Sequence, residues 1–261
     1  MGSNPTAPTR LDEPFFLFKI MSRIISFASG NLWSWNDSKN RNGLLSYAKN
    51  LDVDGIEITF SSKEELYASK FSASNEKWLK KLNYVTIHAP FHLSRDADNE
   101  QEVIRQLKII SALYTRIGAK NVIIHPQDLP APRILNMFPF KVSTENLAKK
   151  KNITIADFRK IFKKYPKVNL CLDVAHAYLW SKDETGKLVN AFKNRISQIH
   201  FSGTYRKRDH QSIRIVTKNF LSSIEPIFSL KCPIVIEGDI RPKNLQFSRE
   251  EVKFIKSMFK T

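Results

Sequence analysis

Short apolar runs alternate with longer stretches of helical periodicity along the whole chain. Eight runs read as strands, beginning near Ile24, Gly55, Tyr84, Asn121, Phe140, Val168, Ile196 and Pro233. Between them, the stretch from Glu102 to Ile117 places Val103, Leu107, Ile110, Leu113 and Ile117 on one helical stripe. Thr154-Ile155-Ala156-Asp157 and Ser248-Arg249-Glu250-Glu251 have the form of a capped helix start and predict two further helices. From His125 to Phe140 the chain holds Pro126, Pro130 and Pro132, which leaves no room for a full helix. This alternation predicts an α/β protein, a single (β/α)8 TIM barrel with a shortened fourth helix region. A doubly wound open sheet would need a glycine-rich turn after the first strand, and only Ser29-Gly30-Asn31 stands there.

The ends of the runs carry the chemistry. Val85-Thr86-Ile87 ends in His88, and Val122-Ile123-Ile124 ends in His125. The fifth run ends in Glu145, and the sixth ends in Asp173 with His176 three residues on. The seventh ends in His200, with Asp209 and His210 in the loop beyond, and the eighth ends in Glu237. A lone histidine at a strand end is usually a hydrogen-bonded structural residue. Imidazole and carboxylate groups delivered together from the same end of successive strands make a different case. They are the donor set of a polynuclear metal site, and a bound cation would offset the cost of burying so many carboxylates. Glu57, on the second run, reads as a buried partner for a nearby lysine, with its role open, and His92 as a residue outside the ligand set.

Composition narrows the class. The chain has 261 residues, enough for one large α/β domain, and its 42% hydrophobic and 26% charged residues are those of a globular protein. No apolar run approaches the roughly 20 residues of a membrane span, so no membrane partner is expected. Residues 1–20 read as a flexible or vector-derived leader before a barrel over 21–261, with Met21 a possible native start and no targeting signal. Cys171 and Cys232 both fall within expected strands and read as buried free thiols of a reducing, cytoplasmic compartment. The formal net charge is +17, which favours DNA or a phosphate-bearing substrate. A lysine-rich bias without any partner is the alternative. No obligate protein partner is legible.

The order His88-Ala89-Pro90, His125-Pro126, Glu145-Asn146, Asp173-Val174-Ala175-His176, His200 with Asp209-His210, and Glu237 resembles the xylose-isomerase-like TIM barrels. That superfamily holds endonuclease IV and the sugar isomerases and epimerases. The likeness runs from about Met21 to Lys260, and Leu172-Asp173-Val174-Ala175-His176 is its sharpest motif. The chain departs at Arg214-Ile215-Val216, where a Gly-x-Gly often stands, and at His125-Pro126-Gln127, where endonuclease IV has His-Pro-Gly.

Resemblance to endonuclease IV implies two to three zinc ions, with manganese an alternative. His88, His125 and Glu145 would hold the first. Glu145 as a bridge, Asp173, His200 and Glu237 would hold the second. His176 and His210 would hold the third with an aspartate; the family places it where this chain has Arg208, and Asp209 is adjacent. The implied reaction is hydrolysis of a phosphodiester in DNA, at abasic sites, by a metal-activated hydroxide, with Glu145 and Glu237 at the catalytic centre. Arg206 and Arg208 would hold the DNA backbone. The isomerase branch implies a single divalent ion on Glu145, Asp173, His200 and Glu237. There the two glutamates serve as an acid/base pair, and His176 and Arg206 grip the sugar (phosphate) substrate. The His88 and His125 pair separates the two, because only the polynuclear site needs it. Other metal-dependent phosphoesterases and a non-catalytic barrel stay open.

Overall fold

A computed structural model describes residues 23–35, 40–148 and 153–259. The expected leader and the basic run Lys149 to Lys151 lie outside the described residues. Eight parallel strands close into a barrel: β1 (Ile25–Ala28), β2 (Gly55–Thr59), β3 (Tyr84–His88), β4 (Asn121–Ile124), β5 (Val142–Glu145), β6 (Asn169–Asp173), β7 (Ile196–Phe201) and β10 (Ile234–Ile236). Neighbours run in sequence order around the ring, with β1 closing on β10. The TIM barrel expected from the alternation is the fold observed.

Helices pack the outer wall through apolar stripes. In the helix Glu100–Ile117 the residues Val103, Leu107, Ile110, Leu113 and Ile117 are buried against the sheet. Each such side chain removed from water contributes about 1.5–3 kcal/mol. Asn99 caps the start of this helix by accepting from the Glu102 amide, and Gly118 ends it in the left-handed conformation. The helix Ile155–Lys164 opens on the expected capping box of Thr154 and Asp157. Between β4 and β5 only a 3-10 turn at Pro126–Asp128 and the four-residue helix Pro132–Leu135 intervene, so the fourth helix is indeed shortened. Among the described residues no helix is long and apolar enough to cross a membrane.

Three local expectations change. The last helix, Leu245–Met258, is capped by Asn244 rather than Ser248. Asn244 accepts from the Phe247 amide at 3.0 Å, which starts the helix one turn earlier and leaves Ser248 buried inside it. Cys171 is buried in β6 as expected, but Cys232 is half-buried in the approach to β10, because pairing there begins only at Ile234. Finally, an antiparallel hairpin of β8 (Gly203–Tyr205) and β9 (Arg208–Gln211) follows β7. Arg206 and Lys207 form its turn with φ of 48° and 64°, a conformation for which Asn-Gly is the usual signal.

Gly55 sits at a close inter-strand approach. A Cβ there would lie 2.0 Å from the Tyr84 carbonyl oxygen and 2.3 Å from Ser26 Oγ. Gly55→Ala should therefore lower stability by about 1–3 kcal/mol, the usual cost of overpacking. Urea unfolding checks this, and an unchanged midpoint would contradict the close approach.

Candidate metal centre

The parallel strands all finish at one end of the barrel, so the residues that close them gather there. His88 and Glu145 end β3 and β5, Asp173 ends β6, and His125 and Glu237 follow β4 and β10 directly. His200 projects from within β7 and His210 from β9. Three sets form, in each of which the donor atoms lie within 4.8 Å of one another: His88, His125 and Glu145; Glu145, Asp173, His200 and Glu237; and Asp173, His176 and His210. Glu145 is the hub. Its Oε2 lies 3.5 Å from His88 Nε2, 3.9 Å from His125 Nε2 and 3.5 Å from His200 Nδ1, while its Oε1 lies 3.1 Å from His176 Nδ1.

Backbone carbonyls set the ring orientations. His88 Nδ1 is 2.8 Å from the Ala89 carbonyl oxygen, and His125 Nδ1 is 3.1 Å from that of Phe91. Each pairing is best made by an Nδ1–H donor, which leaves the Nε2 lone pair facing Glu145. The Asn146 carbonyl lies 3.0 Å from His176 Nδ1. The Asn146 side chain donates to the Asp173 carbonyl and accepts from the Asp173 amide, each at 2.8 Å, so one residue clamps both neighbours. Asp173 also caps the helix Val174–Trp180, accepting from the His176 amide at 2.6 Å.

Electrostatics follow from this crowding. Burial works against charge on His200, but the carboxylates of Glu237, Glu57 and Glu145 outweigh it and carry its pKa well above the ordinary histidine value. His176 behaves likewise: burial is outweighed by Asp173, Asp209 and Glu145. His125 moves the other way, to about 4, through burial and the neighbouring charge of His88. Burial would raise Glu145, yet His200, His176 and His88 hold it well below the usual carboxylate range. Asp173 is pushed up to about 6, chiefly by burial and then by Glu145 despite the opposing His176.

The structure brings together His88, His125, Glu145, Asp173, His176, His200, Asp209, His210 and Glu237. Asp209 reaches His176 Nε2 at 3.5 Å, although it stands one residue from the position that the resemblance to endonuclease IV implies. Arg206 and Arg208 stand exposed at the hairpin and do not line the cavity; the Arg206 guanidinium lies over the Tyr205 ring. His92 is exposed and pairs with Asp96. Glu57 has no lysine partner among the described residues. It is buried under the site, where it accepts from Thr86 and Gln198 and faces His200. Asn146 was part of the legible Glu-Asn pair, but its clamp depends on a contact with β6. Trp33 and Phe91, which wall the cavity of about 370 Å³, carry no one-dimensional signal.

Metal fits this donor set. His200 Nδ1 and Asp173 Oδ2 are buried without a hydrogen-bond partner. The His200 atom faces Glu237 Oε2 at 3.0 Å and Glu145 Oε2 at 3.5 Å, where a divalent ion would satisfy all of them.

No protein-family profile and no curated protein matches the chain. Solved structures do. A D-tagatose 3-epimerase-like protein is 16% identical, over 90% of this chain and 96% of that one, with a TM-score of 0.66. Endonuclease IV from Thermus thermophilus is 14% identical, over 90% and 98%, with a TM-score of 0.62. The IOLI protein with a bound zinc atom is 16% identical, over 90% and 96%, with a TM-score of 0.59. Identities of this size speak for the fold alone, and the fold that they share with this chain is the eight-stranded (β/α)8 TIM barrel.

Proposed function

We propose that the protein is a metal-dependent phosphodiesterase of the endonuclease IV kind, acting on DNA at abasic sites. The observation that carries this reading is the convergence of three donor sets on Glu145 and Asp173. A mononuclear isomerase would use only Glu145, Asp173, His200 and Glu237, and would leave His88, His125 and His210 without a task.

Bound divalent ions supply Lewis-acid stabilisation of a phosphoryl group and lower the pKa of water. The chain's residues do the rest. Glu145, held anionic by its histidines, bridges the first two sets. Carbonyl-oriented His88 and His125 keep their Nε2 lone pairs turned inward. Trp33 and Phe91 give the cavity an apolar wall, and its 370 Å³ accommodates a nucleotide but no duplex. The target nucleotide would therefore enter extruded from its stack. Arg206 and Arg208, on the hairpin that delivers His210, would grip the flanking backbone, and the net charge of +17 favours that encounter.

The sugar isomerase or epimerase reading keeps one supporting observation, the completeness of the four-residue set by itself. Metal content separates the two. Protein purified without chelator should hold two to three equivalents of zinc or manganese by elemental analysis. One equivalent would turn attention to ketose substrates, and none would sink the metal reading.

Glu145→Gln removes the hub charge but keeps its shape. Cleavage of an abasic-site duplex should fall on the order of 10³-fold, about 4 kcal/mol of transition-state stabilisation, with the far-ultraviolet spectrum unchanged. Retained turnover would exclude a bridging role.

Proton linkage provides a further check. His176 and His200 have raised pKa values and so hold their protons to higher pH in the metal-free protein than free imidazoles do. Zinc must displace those protons, so titrating zinc into dilute buffer should release them, and affinity should fall as pH drops. The sign reverses for metal-free stability. The two imidazolium groups stabilise fully below the ordinary histidine value, and their contribution drains away as pH rises through the raised values. Melting of the chelated protein should accordingly fall from neutral to alkaline pH, and zinc should suppress that fall. A flat profile would contradict the raised values.

A further inference from the structure

Beneath the metal-facing residues the barrel interior is polar. Tyr84 Oη donates to Gln198 Oε1 at 2.9 Å, and Asn121 Nδ2 donates to the same oxygen at 3.1 Å. Those two bonds fix which way the Gln198 amide points. Its nitrogen is turned to Glu57 Oε2, at 3.0 Å, and Thr86 Oγ1 donates to that same carboxylate oxygen at 2.9 Å. Glu57 is fully buried, and no lysine or arginine is paired with it among the described residues. His200 Nε2 lies 3.3 Å from Oε2 in hydrogen-bonding geometry, and also 3.3 Å from Oε1, which has no partner of good geometry.

His200 has two neutral tautomers. With the proton on Nδ1, its Nε2 would accept from the Gln198 amide, 3.1 Å away, and the ring would present an N–H to the cavity. With the proton on Nε2, the ring donates to Glu57 and presents a lone pair at Nδ1 to Glu145 and Glu237. Glu57 is short of a donor, while Gln198 already has one acceptor in Glu57 Oε2. With a cation held between Nδ1, Glu145 and Glu237, the second tautomer satisfies more of the buried groups.

We propose that Glu57 is a positioning residue that holds His200 in the tautomer whose Nδ1 faces the metal-binding set. It does so by accepting from Nε2, 143 residues away in sequence. The role rests on the metal reading above. Glu57 touches no substrate; it orients the ligand that does the holding, as outer-shell carboxylates orient imidazoles in metal sites.

The test is Glu57→Gln, of the same shape, in which the new amide can donate to Nε2 and favour the wrong tautomer. Zinc affinity is measured by competition with a chromophoric chelator, beside the wild-type protein. One zinc equivalent should bind about 10–100-fold more weakly in the variant. Equal affinity in the two proteins would overturn the role of Glu57 and leave the metal reading standing. A wild-type protein that takes up no zinc would overturn both. A second measurement needs no variant: long-range proton–nitrogen correlation on zinc-loaded wild-type protein. It should find His200 protonated at Nε2 and metal-shifted at Nδ1. A metal-shifted Nε2 would refute the proposal whatever the fate of the Glu57→Gln protein.

Discussion

Charge held away from water costs several kcal/mol per ion even after the protein relaxes around it. This barrel gathers five carboxylates at one end, Glu57, Glu145, Asp173 and Glu237 from its strands or directly after them and Asp209 from the hairpin above them. It tolerates them by setting five imidazoles, of His88, His125, His176, His200 and His210, among them. The arrangement comes close to neutrality only with protons or metal ions supplied, and the raised pKa values of His176 and His200 are the proton solution to that requirement. Everything else at this end follows from keeping those groups a few ångströms apart.

Two tiers of structure meet that demand. Strand register sets the first: Asp173 on β6 lies beside His200 on β7, which in turn lies beside Val235, two residues before Glu237. Orientation sets the second. Carbonyls of Ala89, Phe91 and Asn146 turn three rings, and a polar floor of Tyr84, Thr86, Asn121 and Gln198 frames Glu57 beneath the fourth. An ordinary TIM barrel fills this layer with branched apolar side chains. Here it is given over to hydrogen bonds.

Much of this was legible in the sequence, because parallel strands end on the same side. An apolar run of Val and Ile that closes on His, Asp or Glu says both where the strand stops and what it presents. The barrel and the gathering of His88, His125, Glu145, Asp173, His200 and Glu237 follow from that rule. The shortened β4–β5 connection was legible in Pro126, Pro130 and Pro132, and His176 and His210 in the residues just past their runs. Contacts made across the barrel were not legible. Glu57 looked like a partner for a lysine, because nothing local ties it to a histidine 143 positions on. Asn146 looks like a loop residue until β6 lies beside it. The hairpin was hidden because Arg206-Lys207 lacks the glycine or asparagine that announces such a turn, and Asn244 took the cap from Ser248 one turn upstream.

That hairpin also divides the site by the kind of element that carries its residues. Asp209 and His210 are carried outside the barrel strands and the turns that leave them directly, unlike the other residues gathered at this end. Their element is tied to the barrel end by the Gln211–Asp239 bridge and by the Asp239 amide donating to the His210 carbonyl. β8 and β9 pair with each other and not with the barrel strands, so the barrel register does not depend on their pairing. The chain can gain, retune or discard its third set while the other two stay under the discipline of folding. Divergence among barrels of this kind has a permissive place to begin there.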